Sequence, residues 1–165
     1  MPEVRPKIIL KFDGSIGPTN EWTCIGWAHL IEFEGDAALR SFGHKFGEKS
    51  NVTVAEFEGL LHGLKRLRSL KRLRTNLSAG QQVTDIIPTL LVQGDSETVI
   101  DLLLQKDPSK VKKGLRPMYT AALRLLREIG LSWKAEKIPS RKNKECDGLA
   151  RAELEACIRE SGSNS

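Results

Sequence analysis

Lys7-Ile8-Ile9-Leu10-Lys11-Phe12-Asp13-Gly14-Ser15 is the stretch that decides how this chain is read. Ile8, Ile9, Leu10 and Phe12 make a short apolar run of strand formers. Asp13-Gly14-Ser15, followed by Gly17-Pro18, is turn chemistry and closes it. An acid therefore stands where a strand pattern stops. In an α/β sheet the carboxyl ends of strands are where ligands collect, so the rest of the chain is read for more acids in such places.

Residues 22–33 carry Trp22, Cys24, Ile25, Trp27, Leu30, Ile31 and Phe33, a second strand. Gly35-Asp36 reads as a hairpin turn and residues 38–46 as a third strand, which together predict an antiparallel meander. From Val54 the period changes. Val54, Phe57, Leu60, Leu61, Leu64, Leu67, Leu70 and Leu73 recur at three- and four-residue steps, as on a helix face. Thr53 suits the cap of that helix, with Glu56 three residues on as in a capping box. Residues 77–84 read as a polar loop, and residues 88–93 as an apolar strand ending at Gly94-Asp95-Ser96. A helix follows over 97–105, a basic loop over 107–114, and a helix over 115–129 closed by Gly130 at the C′ position. Residues 131–138 read as a strand, 139–144 as a basic turn and 147–159 as a last helix. The fold class expected is α/β: one mixed five-stranded sheet, the meander plus two parallel strands, with helices on both faces. One domain over residues 1–160 and a disordered tail over 161–165 complete the reading.

Composition bounds the function. A chain of 165 residues is long enough to bury a sizeable core, and 39% hydrophobic with 28% charged residues is ordinary for a globular protein. Lys plus Arg outnumber Asp plus Glu by 26 to 21, and the isoelectric point of about 9.2 favours a polyanionic partner. Cys24, Cys146 and Cys157 are widely spaced and odd in number, so the sequence indicates neither a disulfide framework nor a zinc site. An intracellular location, cytoplasmic or nuclear, follows as the simpler expectation. No apolar run reaches the about 18 residues of a membrane span, and no signal-peptide hydrophobic stretch follows the N-terminus.

Asp13, Glu56, Asp95 and Asp147 each sit where a strand ends or a helix opens. Taken singly, each has a plainer reading: a turn residue, a capping-box acid, a helix cap and a surface acid in a charged helix. Taken together they are four carboxylates that would repel unless divalent cations neutralise them. Hard oxygen donors suit Mg²⁺ or Mn²⁺, and paired ions of that kind drive in-line phosphoryl transfer. A metal-dependent nuclease is the function expected.

Lys11-Phe12-Asp13-Gly14-Ser15, Val54-Ala55-Glu56-Phe57, Gln93-Gly94-Asp95-Ser96, and Ile138-Pro139 through Asn143-Lys144-Glu145-Cys146-Asp147-Gly148-Leu149-Ala150 occur in that order. This succession resembles the ribonuclease H type 1 family, especially its short reverse-transcriptase-like branch, over about residues 7–154. The resemblance implies a ribonuclease H-like domain that cuts the RNA strand of an RNA/DNA hybrid and leaves 5′-phosphate and 3′-hydroxyl ends. It implies two Mg²⁺ ions per site, with Mn²⁺ as a substitute. Asp13 would bridge both, Glu56 and Asp95 would hold the ion on the leaving-group side, and Asp147 the ion that activates water. Gly14, Ser15, Asn51, Thr53, Ser96, Arg141, Lys142 and Asn143 are expected along the nucleic acid. No small-molecule cofactor is implied, and a monomer is expected.

The chain also departs from the family. Asn51-Val52-Thr53 stands where many members carry Thr-Asn-Asn, residues that help read the ribose 2′-hydroxyl. His29, His44 and His62 all precede Asp95, whereas well-studied members place a histidine between the third and fourth acids. Ser140 replaces an arginine, with Arg141 one place later, and no tryptophan-bearing basic handle follows the third acid. Substrate grip is therefore assigned to the run holding Lys65, Arg66, Arg68, Lys71, Arg72 and Arg74, or to Lys110, Lys112 and Lys113. Trp22, Trp27 and Trp133 read as core. The altered positions motivate an alternative, a catalytically silent nucleic-acid-binding or interaction module on the same fold.

Overall fold

The β-formers of the first third pair as the alternation predicts. In a computed structural model, which describes residues 7–17, 22–33, 36–48, 50–77 and 88–162 with the side chains of Trp22 and residues 71–77 excepted, the strands are β1 (Lys7–Gly17), β2 (Trp22–Phe33) and β3 (Leu39–Glu48). β1 and β3 flank β2, both antiparallel to it. The Asp36 N–H donates to the Phe33 carbonyl at 3.0 Å where the second strand ends; Gly35, Pro18 and most of the expected loop after Leu77 lie outside the described residues.

β4 (Thr89–Gly94) and β5 (Trp133–Lys137) add to the other edge of β1 in parallel, giving the order β3-β2-β1-β4-β5. Parallel neighbours need a crossover, supplied here by α1 (Val52–Leu77) after the meander, and by α2 (Glu97–Leu104) and α3 (Arg116–Ile129) between β4 and β5. The expected basic loop is two 3-10 turns, Pro108–Lys110 and Lys113–Leu115. α4 (Lys144–Gly162) follows a third 3-10 turn, Ser140–Lys142.

The main core lies between the sheet and α1 to α3. Phe57, Leu60, Leu64 and Leu67 repeat at three and four residues and meet Leu10, Phe12, Leu90 and Val92 from the sheet and Leu125 and Ile129 from α3. Each such side chain contributes roughly 1.5–3 kcal/mol when removed from water. A smaller cluster, Ala28 and Leu30 with Cys146 and Ala150, seats α4 on the opposite face. The sheet thus carries helices on both faces. Gly130 ends α3 in the left-handed region at φ 71°, its N–H donating to the Leu126 carbonyl at 3.1 Å, as its C′ position requires.

Most boundaries shift by one or two residues from the sequence reading, and three of the differences bear on the acids or the chain end. β1 does not stop at Phe12: Asp13, Gly14 and Ser15 stay paired with Ala28, Trp27 and Gly26. α1 begins at Val52, capped by Asn51 and not by Thr53, because the Asn51 side chain accepts the Val54 N–H at 3.0 Å. α4 begins three residues before Asp147 and runs to Gly162, so Ser161 and Gly162, expected in the tail, are helical; residues 163–165 lie outside the described residues.

Candidate active site

Parallel pairing fixes the first two acids. Lys11 of β1 is in register with Gln93 of β4, so Asp13 and Asp95, each two residues further along, lie side by side just past the point where the parallel pairing stops. Gly14 brings the third. A Cβ there would lie 2.1 Å from the carbonyl carbon and oxygen of Ala55, so only glycine lets the first turns of α1 press onto β1 and set Glu56 beside that end. Asn143 ties in the fourth. Its side-chain amide donates to the Phe12 carbonyl at 3.0 Å and reaches Asp95 Oδ1 at 3.5 Å, and its carbonyl accepts the Asp147 N–H at 3.0 Å.

The electrostatics show how close the four charges are. Asp13 is 6% exposed and its carboxyl is pushed up to about 8, first by burial, then by the charge of Asp95, with Asp147 and Glu56 adding to it and the Gly14 N–H opposing. Glu56 is pushed up by burial, then lowered by a hydrogen bond from Ser96, with Asp95 again raising it. One Glu56 oxygen, Oε2, is buried without a hydrogen-bond partner. Asp147 is more open, and its Oδ1 accepts from Arg151 Nε at 3.1 Å. Even so, among the described residues no three His, Cys, Asp or Glu side chains are grouped tightly enough, as they stand, to hold a metal ion.

The other expected positions divide. Ser96 caps α2 by accepting the Val99 N–H at 3.2 Å and also serves Glu56, a double use the sequence did not reveal. Ser15 and Thr53 are half-buried, while Arg141, Lys142, Lys112 and Lys113 are exposed. Asn143, expected at the nucleic acid, is 1% exposed; its side-chain N–H groups are engaged within the protein, and its Oδ1 is buried without a hydrogen-bond partner. Asn51, likewise expected there, has its side-chain oxygen engaged as the α1 cap. On the basic run of α1, Arg66 donates to the Arg40 carbonyl at 2.9 Å and Arg68 pairs with Glu128 of α3. The side chains of Lys71, Arg72 and Arg74 lie outside the described residues. Glu58, the neighbour of Glu56 in sequence, faces elsewhere and pairs with Lys45 and His62. Trp133 packs against the main core, and Trp27 stacks on His62 with ring centroids 3.8 Å apart.

Known structures carry the same architecture. The N-terminal RNase H domain of a Mycobacterium tuberculosis protein, solved as a fusion with maltose-binding protein, matches at TM-score 0.68 and 21% identity over 94% of this chain and 99% of that one. LC11-RNase H1, isolated from compost by a metagenomic approach, matches at 0.70 and 24% identity over 92% and 98%. LC11-RNase H1 in complex with an RNA/DNA hybrid matches at 0.68 and 22% identity over 92% and 99%. No protein-family model matches the chain, and no curated protein does. At these identities the likeness shows the fold, and the fold is that of ribonuclease H type 1.

Proposed function

We propose that this chain is an endonuclease that hydrolyses the RNA strand of RNA/DNA hybrids, with Asp13, Glu56, Asp95 and Asp147 as its acidic site. The observation that carries the proposal is Asp13, a buried carboxyl in the middle strand of the sheet whose charge is opposed by three other acids. A structural acid gains nothing from such surroundings. Burying a carboxylate without a counter-charge is costly: the group either keeps a proton, as its raised pKa shows, or ionises with a cation joining the site.

The donor set fits a hard divalent cation such as Mg²⁺ or Mn²⁺: all oxygen, four carboxylates, and in Glu56 a buried oxygen with nothing to bond. A bound pair would lower the pKa of a water molecule and offset charge building on the phosphate. The protein's own groups prepare the place. Ser96 and the Gly14 N–H orient Glu56 and Asp13, Asn143 holds β1, the end of β4 and the start of α4 together, and Arg151 restrains Asp147. Exposed Lys112, Lys113, Arg141 and Lys142 supply positive charge for a polyanion. The products proposed are 5′-phosphate and 3′-hydroxyl ends, and the acting form a monomer.

One observation favours the alternative, a binding module without activity: the acids do not close into a ligand set as they stand. Labelled RNA/DNA, RNA/RNA and DNA/DNA duplexes, incubated with and without Mg²⁺, separate the two. Cleavage of RNA in the hybrid alone, and only with metal, is the result expected; binding without cleavage of any duplex would establish the module instead.

A further inference from the structure

The three cysteines are scattered in sequence, but folding does not keep them equally apart. Cys24, near the start of β2, has its Sγ 3.7 Å from Ser161 Oγ, and Ser161 lies one turn beyond Cys157 on the same side of α4. Cys157 Sγ donates to the Lys45 carbonyl at 3.4 Å, on the stretch of β3 that pairs with β2 around Cys24. Ile25, beside Cys24, is the residue in register with Lys45, so the two thiols come to the same place between α4 and the β2–β3 pair. They are 0% and 2% exposed. Cys146, at the start of the same helix, is about 16 Å from Cys157 along the axis and touches neither.

We propose that Cys24 and Cys157 are a redox pair, converted by a low-molecular-weight disulfide such as oxidised glutathione into an intramolecular disulfide that staples the C-terminal half of α4 to β2. The step balances without further reactants. One protein thiol gives up its proton and, as thiolate, attacks a sulfur of the small disulfide, breaking its S–S bond and releasing one small thiol. The second protein thiol, deprotonated in turn, attacks the mixed disulfide and releases the other. Two protein thiols are oxidised and two small thiols appear.

The reduced protein already holds α4 in place for this bond. His44 of β3 lies between Glu153 and Glu160 of α4, at 2.6 and 2.8 Å, so the helix end sits over β2 and β3 before any oxidation. Burial pushes the Cys157 thiol up to about 12, which keeps it protonated and makes exchange slow until the end of α4 opens locally. Once formed, the bond closes most of the chain into a loop, and loops of that length take the most freedom from the unfolded state. A rise in Tm of about 10 °C is expected.

The test equilibrates the full chain with mixtures of oxidised and reduced glutathione at about pH 8, where thiol exchange proceeds, then alkylates, weighs and maps it. Expected are a Cys24–Cys157 linked peptide, Cys146 as the one alkylated thiol, and a higher Tm reversed by dithiothreitol, with the linked peptide and the rise in Tm retained in C146S but lost in C157S. The mapping of the unaltered chain stands whether or not C157S folds. Three alkylated thiols at every glutathione ratio, a persistent glutathione adduct, or a bond involving Cys146 would each overturn the proposal.

Discussion

Replacing Asp13 with Asn should make the metal-free protein more stable while removing its activity. Asp13 is buried, and its carboxyl is raised from 3.8 to about 8, by burial first and by Asp95 next. In the unfolded chain the same group ionises near 3.8. Between those two values the unfolded state binds fewer protons than the folded one, so stability falls as pH rises through the window and levels off above about 8. At pH 7 the interval from 3.8, at about 1.36 kcal/mol per pH unit, corresponds to roughly 4 kcal/mol as a ceiling. Asn keeps the shape and the oxygen that accepts the Gly14 N–H, and has no charge to bury. Thermal unfolding in EDTA should therefore give Asp13→Asn a Tm higher by up to about 10 °C at pH 7. The gain should grow from pH 4 to pH 8 and vanish below the ordinary carboxylate range. A variant no more stable than the parent, or a gain independent of pH, would refute the assignment of Asp13 to an uncompensated site.

Gly14→Ala places a methyl 2.1 Å from the Ala55 carbonyl, so urea unfolding should show a loss of about 3 kcal/mol, with cleavage lost because α1 and Glu56 are displaced. Glu58 is held down to about 2 by His62 and, less strongly, Lys45, so its stabilisation is present above 4.5 and lost as pH falls through about 2. With Lys45 and His62 themselves largely in solvent, Glu58→Gln should cost only about 1 kcal/mol at pH 7 and leave cleavage intact, whereas lost cleavage would make Glu58 a site residue. Replacing Lys112 and Lys113 with Ala should flatten the slope of log affinity for hybrid against log salt by about 1 to 2, and an unchanged slope would place the grip elsewhere.

The mixed sheet and most elements were legible because the apolar pattern is periodic: a near-continuous run of β-formers in β2, alternation in β4, and the three- and four-residue steps from Phe57 to Leu67 in α1. The places where the reading slipped are those decided by a partner far along the chain. Asp-Gly-Ser normally turns, yet here it stays in β1 because β2 pairs past it and α1 needs Gly14 beneath its first turns. Asn51 and Thr53 both suit a helix cap, and only the observed start at Val52 chooses between them. Asn143 stands in a polar turn, and nothing local shows that its amide meets the Phe12 carbonyl across 131 positions of sequence. The four acids were legible as candidates from their places at element ends. That Asp13 and Asp95 lie side by side came only with the register of β1 against β4.

The most direct test of the acidic site is a count of Mn²⁺ ions bound per protein in the presence of RNA/DNA hybrid, followed by electron paramagnetic resonance, for the parent chain and for Asp13→Asn. Two ions bound by the parent, with binding weakened sharply in Asp13→Asn, is the outcome expected of a two-cation site. Mn²⁺ binding that is absent from the parent, or unchanged by Asp13→Asn, would contradict it.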